Sequence, residues 1–307
     1  MRGKAVIAFG FLMAFAAEAS AQQQALYSQY IFNLFAVNPA YAGARDALSA
    51  NAGYRTQWVG FEGAPVTGSF NVHAPLAKKN MALGLSFQND VIGARNASFM
   101  GAAYAYQIRL DEAGKRKISF GIQGGAINYR FDWDALEYNS PGDPVAFSTN
   151  GNFWIPNVDF GVMYLAPKGY FGVSLSGLRQ SRLTEAAEGD GRLSTALNVQ
   201  AGHIFLLSES LSLKPFAFLR HDLSGPAQFD LGLSALLANR VWLGAAYRYD
   251  FGTVLSMQLL AGNGLVVGYA FDWALNNLVA SQSGTHELFL GFDLGFLKQP
   301  KHTVRYY

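Results

Sequence analysis

Residues 264–273 read Gly-Leu-Val-Val-Gly-Tyr-Ala-Phe-Asp-Trp and alternate between two kinds of side chain. Every second residue is large and apolar, and the residues between them, apart from Val266, are small or polar. Successive side chains of a β-strand point to opposite faces, so this stretch predicts a strand with one apolar face that ends in aromatic residues. One copy of the pattern is about as long as a tilted strand that crosses a membrane. The large residues are Leu265, Val267, Tyr269, Phe271 and Trp273.

The same alternation recurs about fourteen times between residues 47 and 296, an even number of the kind that bacterial single-chain barrels require. In lipid, only helices and closed barrels satisfy all their backbone hydrogen bonds. We therefore predict an all-β fold, a transmembrane antiparallel β-barrel of about 14 strands. The predicted strands are 47–58, 65–74, 80–89, 97–110, 117–131, 156–166, 169–178, 192–207, 211–221, 227–238, 240–250, 252–261, 264–274 and 285–296.

A soluble β-sandwich would alternate in the same way, and composition separates the two. Charged residues make up 14% of the chain, whereas an ordinary soluble domain carries about 25%. In the predicted strand 240–250, Arg248 and Asp250 fall on the face opposite the large apolar residues. Inward charges suit a polar lumen and not the core of a sandwich. The net charge of +2 gives no indication of a nucleic-acid partner.

The lengths of the connections also favour a barrel. In outer-membrane barrels the periplasmic turns are short and the external loops are long, so with both barrel ends on the periplasmic side the even-numbered connections should be short. The short even connections include 166–169, 207–210, 238–240 and 261–264, and the long odd ones include 131–155, 178–191 and 274–284. Two connections depart from this pattern, because 110–116 is of middling length and 250–252 is tight.

The N-terminus predicts export. Arg2 and Lys4 precede an apolar stretch at 5–17, which is too short to span a bilayer, and Ala-Ser-Ala at 19–21 is typical of a signal-peptide cleavage site. We predict a signal peptide at 1–21, a periplasmic or plug segment at 22–46, the barrel at 47–296 and a tail at 297–307. The chain contains no cysteine, which excludes disulfides and cysteine-based sites.

The sequence contains no recognisable catalytic or metal-binding motif, and we predict a non-enzymatic protein without a cofactor. The five histidines are scattered, and none forms a short metal-binding spacing with another. His221 stands beside Asp222, which leaves an outer-membrane hydrolase as an alternative, although no nucleophile motif accompanies it. The loop at 132–152 is rich in carboxylates but lacks the spacing of a calcium loop.

Two predicted periplasmic turns are basic, with Lys78-Lys79 in one and Lys115-Arg116-Lys117 in the other. One interpretation is a charged rim that stays in water and contacts lipid headgroups. The other is an electrostatic docking site for a periplasmic partner.

The segment between the signal peptide and the first strand has neither helical nor strand periodicity. Its aromatic side chains need an apolar environment, and Asn38-Pro39 together with Gly43 predicts turns. We interpret it as a lead that packs across the periplasmic mouth or into the lumen. Either the segment or the surface beside it is then a candidate for contacting a partner.

Four motifs in and after this segment resemble the PorP/SprF family of outer-membrane proteins of the type IX secretion system of Bacteroidetes. They are Tyr-Ser-Gln-Tyr-x-Phe-Asn from 27, Asn-Pro-Ala-Tyr-Ala-Gly from 38, Tyr-Arg-x-Gln-Trp-Val-Gly from 54, and Gly-Thr-His-Glu-Leu-Phe-Leu-Gly-Phe-Asp from 284. Asn33-Leu34 stands where members often have Asn-Pro. The resulting candidate partner-contact residues are Tyr27, Tyr30, Phe32, Asn33, Asn38, Pro39, Tyr41, Gly43, Arg55 and Trp58.

The resemblance implies a barrel that supports secretion or surface anchoring of large client proteins, such as gliding adhesins, that carry a C-terminal sorting domain. The implied partners are outer-membrane lipid, the client's C-terminal domain, and periplasmic or lipoprotein components of the system. A passive porin is the alternative, because a barrel of about 14 strands lies between small filled barrels and open porins.

Overall fold

The computed structural model describes residues 27–45, 47–76, 80–132, 151–178, 194–223, 225, 227–276 and 282–295. The predicted signal peptide at 1–21, the predicted tail at 297–307 and most of the connections 132–152 and 178–191 lie outside these residues. Within the described residues, no helix is both long enough and apolar enough to cross a membrane.

The described residues form a sheet of fifteen strand segments, preceded by three short 3₁₀ helices. The helices are Tyr30–Phe32, Leu34–Ala36 and Pro39–Tyr41. The strands are β1 Leu48–Thr56, β2 Val66–Pro75, β3 Met81–Ile92, β4 Arg95–Arg109, β5 Lys117–Phe131, β6 Asn152–Ala166, β7 Gly169–Ser176, β8 Ala196–His203, β9 Phe205–Leu206, β10 Leu211–Asp222, β11 Ala227–Leu237, β12 Val241–Arg248, β13 Gly252–Gly262, β14 Leu265–Ala274 and β15 Thr285–Leu294.

The sheet is antiparallel and closes into a barrel. Apart from β8 and β9, which do not pair with each other, each strand pairs with its sequence neighbours. β1 pairs with β15, where Leu48 lies opposite Leu294. β8 and β9 both pair with β10 in one register, so they form a single strand of the barrel that is interrupted at Ile204. The fifteen segments of the described chain therefore make the 14 barrel strands that the sequence predicted.

Several predicted strand ends were too short. β3 and β4 extend to a two-residue turn at 93–94, although 90–96 was predicted to be a connection. The extension is stabilised by polar pairs, since Asn89 Nδ2 donates to Asn96 Oδ1 at 2.7 Å and to Ser98 Oγ at 2.8 Å. Polar residues that end the apolar alternation thus continue the hydrogen-bonded ladder.

The two faces of the wall differ as the alternation predicted. In β14 the side chain of Trp273 is 55% exposed on the outer face, whereas its neighbour Asp272 is fully buried on the inner face. In β12, Tyr247 is exposed and Arg248 is buried. Asp250, which was predicted to face inward at the end of this strand, lies in the following turn and is exposed.

The two ends of the barrel also differ. We call the end that holds Leu48 and Leu294 the terminal end; its connections include the tight turns 167–168 and 263–264. We call the other the loop end; it holds the connections 57–65 and 275–284 together with the short turns 93–94 and 249–251. By the general rule for outer-membrane barrels, we expect the terminal end to be periplasmic and the loop end to be external.

Candidate functional site

Residues 27–45 lie inside the barrel, and we call this segment the plug. Its three 3₁₀ helices are joined by tight turns, and most of its side chains are buried against the inner face of the wall. The side chains that are at most 4% exposed include Tyr30, Ile31, Phe32, Leu34, Phe35, Ala40 and Tyr41. The apolar side chains of the plug pack against inward apolar residues of the wall, such as Met163 and Trp242.

The local sequence explains why the plug folds into short turns. Pro39 occupies the first position of the third helix, where a missing backbone N–H is tolerated. Asn38 caps that helix, because its Oδ1 accepts a hydrogen bond from the Ala40 N–H at 2.9 Å. The sequence prediction of turns at Asn38-Pro39 is therefore confirmed.

The plug runs along the lumen from the loop-end half towards the terminal end. Ser28 contacts Asp272, near the end of β14, and Glu287, near the start of β15, and both positions lie towards the loop end. Arg45 contacts Asp293 at the terminal end, immediately before β1 begins. The chain therefore passes through the lumen before it enters the wall.

Charged wall residues hold the first residues of the plug, and the arrangement centres on Arg55. Arg55 Nη2 lies 2.7 Å from Asp272 Oδ2, and Arg55 Nη1 lies 3.1 Å from Glu287 Oε2. Arg55 Nη1 also donates to Ser28 Oγ at 2.7 Å. The Arg55 side chain is 2% exposed, so these contacts are made away from bulk water.

The plug backbone completes the same arrangement. The Ser28 N–H donates to Glu287 Oε2 at 2.6 Å, and the Gln29 N–H donates to Glu287 Oε1 at 3.0 Å. The Ser28 hydroxyl donates to Asp272 Oδ2 at 2.7 Å. Two consecutive plug residues thus bind two carboxylates that belong to neighbouring strands.

A second arginine extends the arrangement around the wall. Arg248 Nε and Nη2 both lie 3.0 Å from the carboxylate of Asp230, and Arg248 Nη1 lies 3.0 Å from Asp272 Oδ2. The guanidinium therefore links β11, β12 and β14. We call the set formed by Ser28, Gln29, Arg55, Asp230, Arg248, Asp272 and Glu287 the latch.

Hydrogen bonds to charged groups are about twice as strong as those between neutral groups, and buried charges are tolerated only when they are paired. The latch brings two guanidinium groups to three carboxylates, and plug donors at Ser28 and Gln29 give further hydrogen bonds to Asp272 and Glu287. Removing the plug would therefore leave carboxylate oxygens of Asp272 and Glu287 without these hydrogen-bond donors. This gives a physical reason for the plug to stay in place.

Inward-facing glycines receive the middle of the plug, and we call these positions the sockets. A Cβ atom added to Gly84 would collide with the ring of Phe35, and one added to Gly121 would collide with the backbone of Ala40. At Gly161, an added Cβ would collide with the Asn38 side chain. The described sockets are Gly84, Gly121, Gly161, Gly172 and Gly268.

Asn38 joins the sockets to the wall. Its Nδ2 lies 3.4 Å from the Val162 carbonyl oxygen and 3.3 Å from the Val173 carbonyl oxygen, while its Oδ1 caps the third helix. The amide reaches these carbonyls because Gly161 and Gly172 have no side chain. One residue therefore fixes both the fold of the plug and its position.

The terminal-end half of the lumen is more apolar than the loop-end half and contains a buried cation, Lys214. Lys214 Nζ lies 4.4 Å from the ring centroid of Phe32 and 4.8 Å from that of Trp242, within the range of cation–π contacts. It also lies 3.5 Å from the carbonyl oxygen of Ile31. Arg45 anchors the end of the plug, because Nη1 lies 3.3 Å from Asp293 Oδ2.

Most of the residues singled out from the sequence lie at the interface between the plug and the barrel wall. Arg55 belongs to the latch, and Asn33 lies between the first two helices. Trp58 lies apart in the β1–β2 connection, where its backbone N–H donates to Thr285 Oγ1 at 3.1 Å. The predicted residues that lie in the plug are Tyr27, Tyr30, Phe32, Asn33, Asn38, Pro39, Tyr41 and Gly43.

The sequence reasoning missed Asp230, Glu287 and Lys214 and did not pair Arg248 with Asp272. The signal that was available is a charged residue at an inward position of an alternating strand. Adjacent strand residues point to opposite faces, so His221 and Asp222 do not face each other. Within the described part of the chain, no group of three histidine or acidic residues is placed to hold a metal ion.

A family model described as "Type IX secretion system membrane protein PorP/SprF" matches residues 19–292. The chain is similar to the solved structure of the outer membrane protein Omp33 of Acinetobacter baumannii, with 9% identity, a TM-score of 0.47, and coverage of 80% of this chain and 96% of that chain. It is also similar to the toluene transporter TbuX of Ralstonia pickettii, with 9% identity, a TM-score of 0.49, and coverage of 84% of this chain and 92% of that chain. A third similar structure is the CymD monoaromatic hydrocarbon channel, with 12% identity, a TM-score of 0.48, and coverage of 89% of this chain and 94% of that chain. No match was found among curated proteins.

Proposed function

Because the chain belongs to the PorP/SprF family of type IX secretion system membrane proteins, we propose that it anchors secreted client proteins at the outer membrane through its loop end while the plug keeps its lumen closed. The plug is the observation that carries this proposal. A barrel whose lumen is occupied by its own buried chain has no continuous aqueous path for a client. Its outer surfaces and its two ends remain available for partners.

The loop end offers the surface for a client's C-terminal sorting domain. The β1–β2 connection lies there, and Phe61 within it is 52% exposed. This connection is held to the β14–β15 connection, since the Val59 N–H donates to the Gly284 carbonyl at 2.9 Å and the Ser283 N–H donates to the Val59 carbonyl at 2.7 Å. Backbone hydrogen bonds thus join the two connections at Val59, and aromatic residues are enriched at protein interfaces.

Gliding adhesins are the client class that this function would serve, and cleavage after residue 21 would deliver the chain to the periplasm. Periplasmic or lipoprotein components of the system would meet the terminal end. A passive porin is the weaker alternative, because it requires an open lumen where the plug lies.

Site-specific cross-linking in cells tests client binding. The chain has no cysteine, so Phe61→Cys introduces a single thiol at the loop end, and Arg240→Cys places a matched thiol in the terminal-end turn between β11 and β12. We expect a client with a C-terminal sorting domain to cross-link to position 61 and not to position 240. The proposal is wrong if no client cross-links and if deleting the gene leaves every sorting-domain protein secreted and retained at the surface.

A further inference from the structure

The outer face of the wall carries a groove near the terminal end. Its lining also includes Tyr170 and Phe216, which are buried among plug residues. It has a volume of about 990 Å³, within the range of ligand sites, and it runs across β6, β7, β8, β10 and β11. One row of paired outward residues forms its walls and floor. Tyr164 lies opposite Phe171, Phe171 opposite Ala201, Ala201 opposite Ala217, and Ala217 opposite Leu231.

The shape of the groove follows from the sizes of these side chains. Phe171 and Leu231 are 50% and 57% exposed and project from the wall. Ala201 and Ala217 lie between them on adjacent strands and form the floor of the groove, which we call the furrow. This apolar furrow on the membrane-facing side of the barrel fits an acyl chain.

The terminal-end rim of the groove is basic. Lys115 and Arg116 from the β4–β5 connection and Lys168 from the β6–β7 turn line it, together with His203. Asp111 is the one acidic residue among the described lining residues. Its Oδ1 accepts the N–H groups of Lys115 at 2.7 Å and Arg116 at 3.2 Å, so it orders the turn that carries the two cations.

An apolar furrow that opens onto a basic rim matches a lipid with an anionic headgroup. Basic residues near a membrane surface attract anionic lipid by about 1 kcal/mol each, and a guanidinium binds phosphate in a bidentate way. We propose that the groove binds one anionic phospholipid of the leaflet at the terminal end, with its acyl chain over Ala201 and Ala217 and its phosphate at Lys115, Arg116 and Lys168. The occupant is a phospholipid because the acyl chains of a lipoprotein bring no phosphate to the rim.

Native mass spectrometry of the full chain released from mild detergent tests this site, with phosphatidylglycerol and phosphatidylcholine as the added lipids. We expect the protein to retain phosphatidylglycerol in preference to phosphatidylcholine. Replacing three cations together, by Lys115→Gln, Arg116→Gln and Lys168→Gln, should weaken phosphatidylglycerol binding about a hundredfold. Ala217→Phe should fill the furrow and reduce retention of either lipid.

Two matched variants control for general effects of charge and bulk. Arg240→Gln removes a cation from another terminal-end turn, and Ala102→Phe adds a ring to the outer face of β4. Both should retain lipid as the unmodified chain does. Unchanged retention in the triple variant or in Ala217→Phe would overturn the proposal. Cross-linking of a second protein chain to Ala201→Cys, in place of bound lipid, would also overturn the proposal.

Discussion

The latch and the sockets hold the same plug by different physical means. In the latch, charged groups such as Arg55 and Glu287 make directional contacts to Ser28 and Gln29. In the sockets, the absence of side chains at positions such as Gly121 and Gly161 creates space for Ala40 and Asn38. The latch therefore determines the register of the plug, and the sockets determine its shape and depth.

This difference predicts that breaking the latch has the larger effect. Arg55→Met removes the guanidinium that bridges Asp272 and Glu287 and leaves buried carboxylates without compensation. We expect a loss of about 3–5 kcal/mol in the free energy of unfolding. Urea titration of the folded barrel in detergent micelles measures it. Arg240→Met, at an exposed turn, is the control and should change the midpoint little.

Filling a socket should displace the plug without changing any charge. Gly161→Val places a branched side chain where the Asn38 amide lies, and overpacking of this kind costs about 1–3 kcal/mol. A thiol at Ala40→Cys, buried in the unmodified barrel, should then react with a water-soluble maleimide. Gly124→Val is the matched control, because an added Cβ there meets open space on the outer face. Equal labelling with and without Gly161→Val would mean that the socket does not seat the plug.

The two roles of Asn38 can be separated. Asn38→Asp keeps the oxygen that caps the third helix but removes the amide that donates to Val162 and Val173, whereas Asn38→Ala removes both. Loss of an N-cap costs about 1 kcal/mol, so Asn38→Ala should destabilise the barrel by at least that amount in the same urea titration. If the alanine variant is as stable as the unmodified chain, Asn38 does not hold the plug.

The smallest effect is expected at the start of the plug. Tyr27 donates its hydroxyl proton to Gln88 Oε1 at 2.6 Å, and Tyr27→Phe removes this bond while it keeps the ring. The expected cost is about 1 kcal/mol in the free energy of unfolding. Tyr164→Phe, on the outer face, is the control. If it lowers the free energy of unfolding as much as Tyr27→Phe does, the hydrogen bond from Tyr27 to Gln88 does not contribute to stability.

The wall could be predicted from the sequence because lipid requires an apolar side chain at every second residue of each strand. The alternation from Leu265 to Trp273 shows this pattern directly, and the structure confirms its outer and inner faces. The strand ends were harder to predict, because at Asn89 and Asn96 hydrogen bonds continue the ladder after the apolar pattern has ended.

The site could be predicted only in part. The turn at Asn38-Pro39 has a local cause, so its residues reveal it. The latch joins residues that are distant along the chain, since Ser28 and Glu287 are 259 positions apart, and no local pattern reports such a pairing. The sockets gave an ambiguous signal, because an inward glycine such as Gly161 also suits an open polar lumen.

Conductance of the full chain in planar bilayers tests the central claim most directly, namely that residues 27–45 close the barrel. We expect the purified protein to insert without a steady current. We expect currents to appear when Arg55→Met breaks the latch and Gly161→Val fills a socket in the same chain. A large, steady current from the unmodified chain would contradict the closed lumen and would support the passive porin instead.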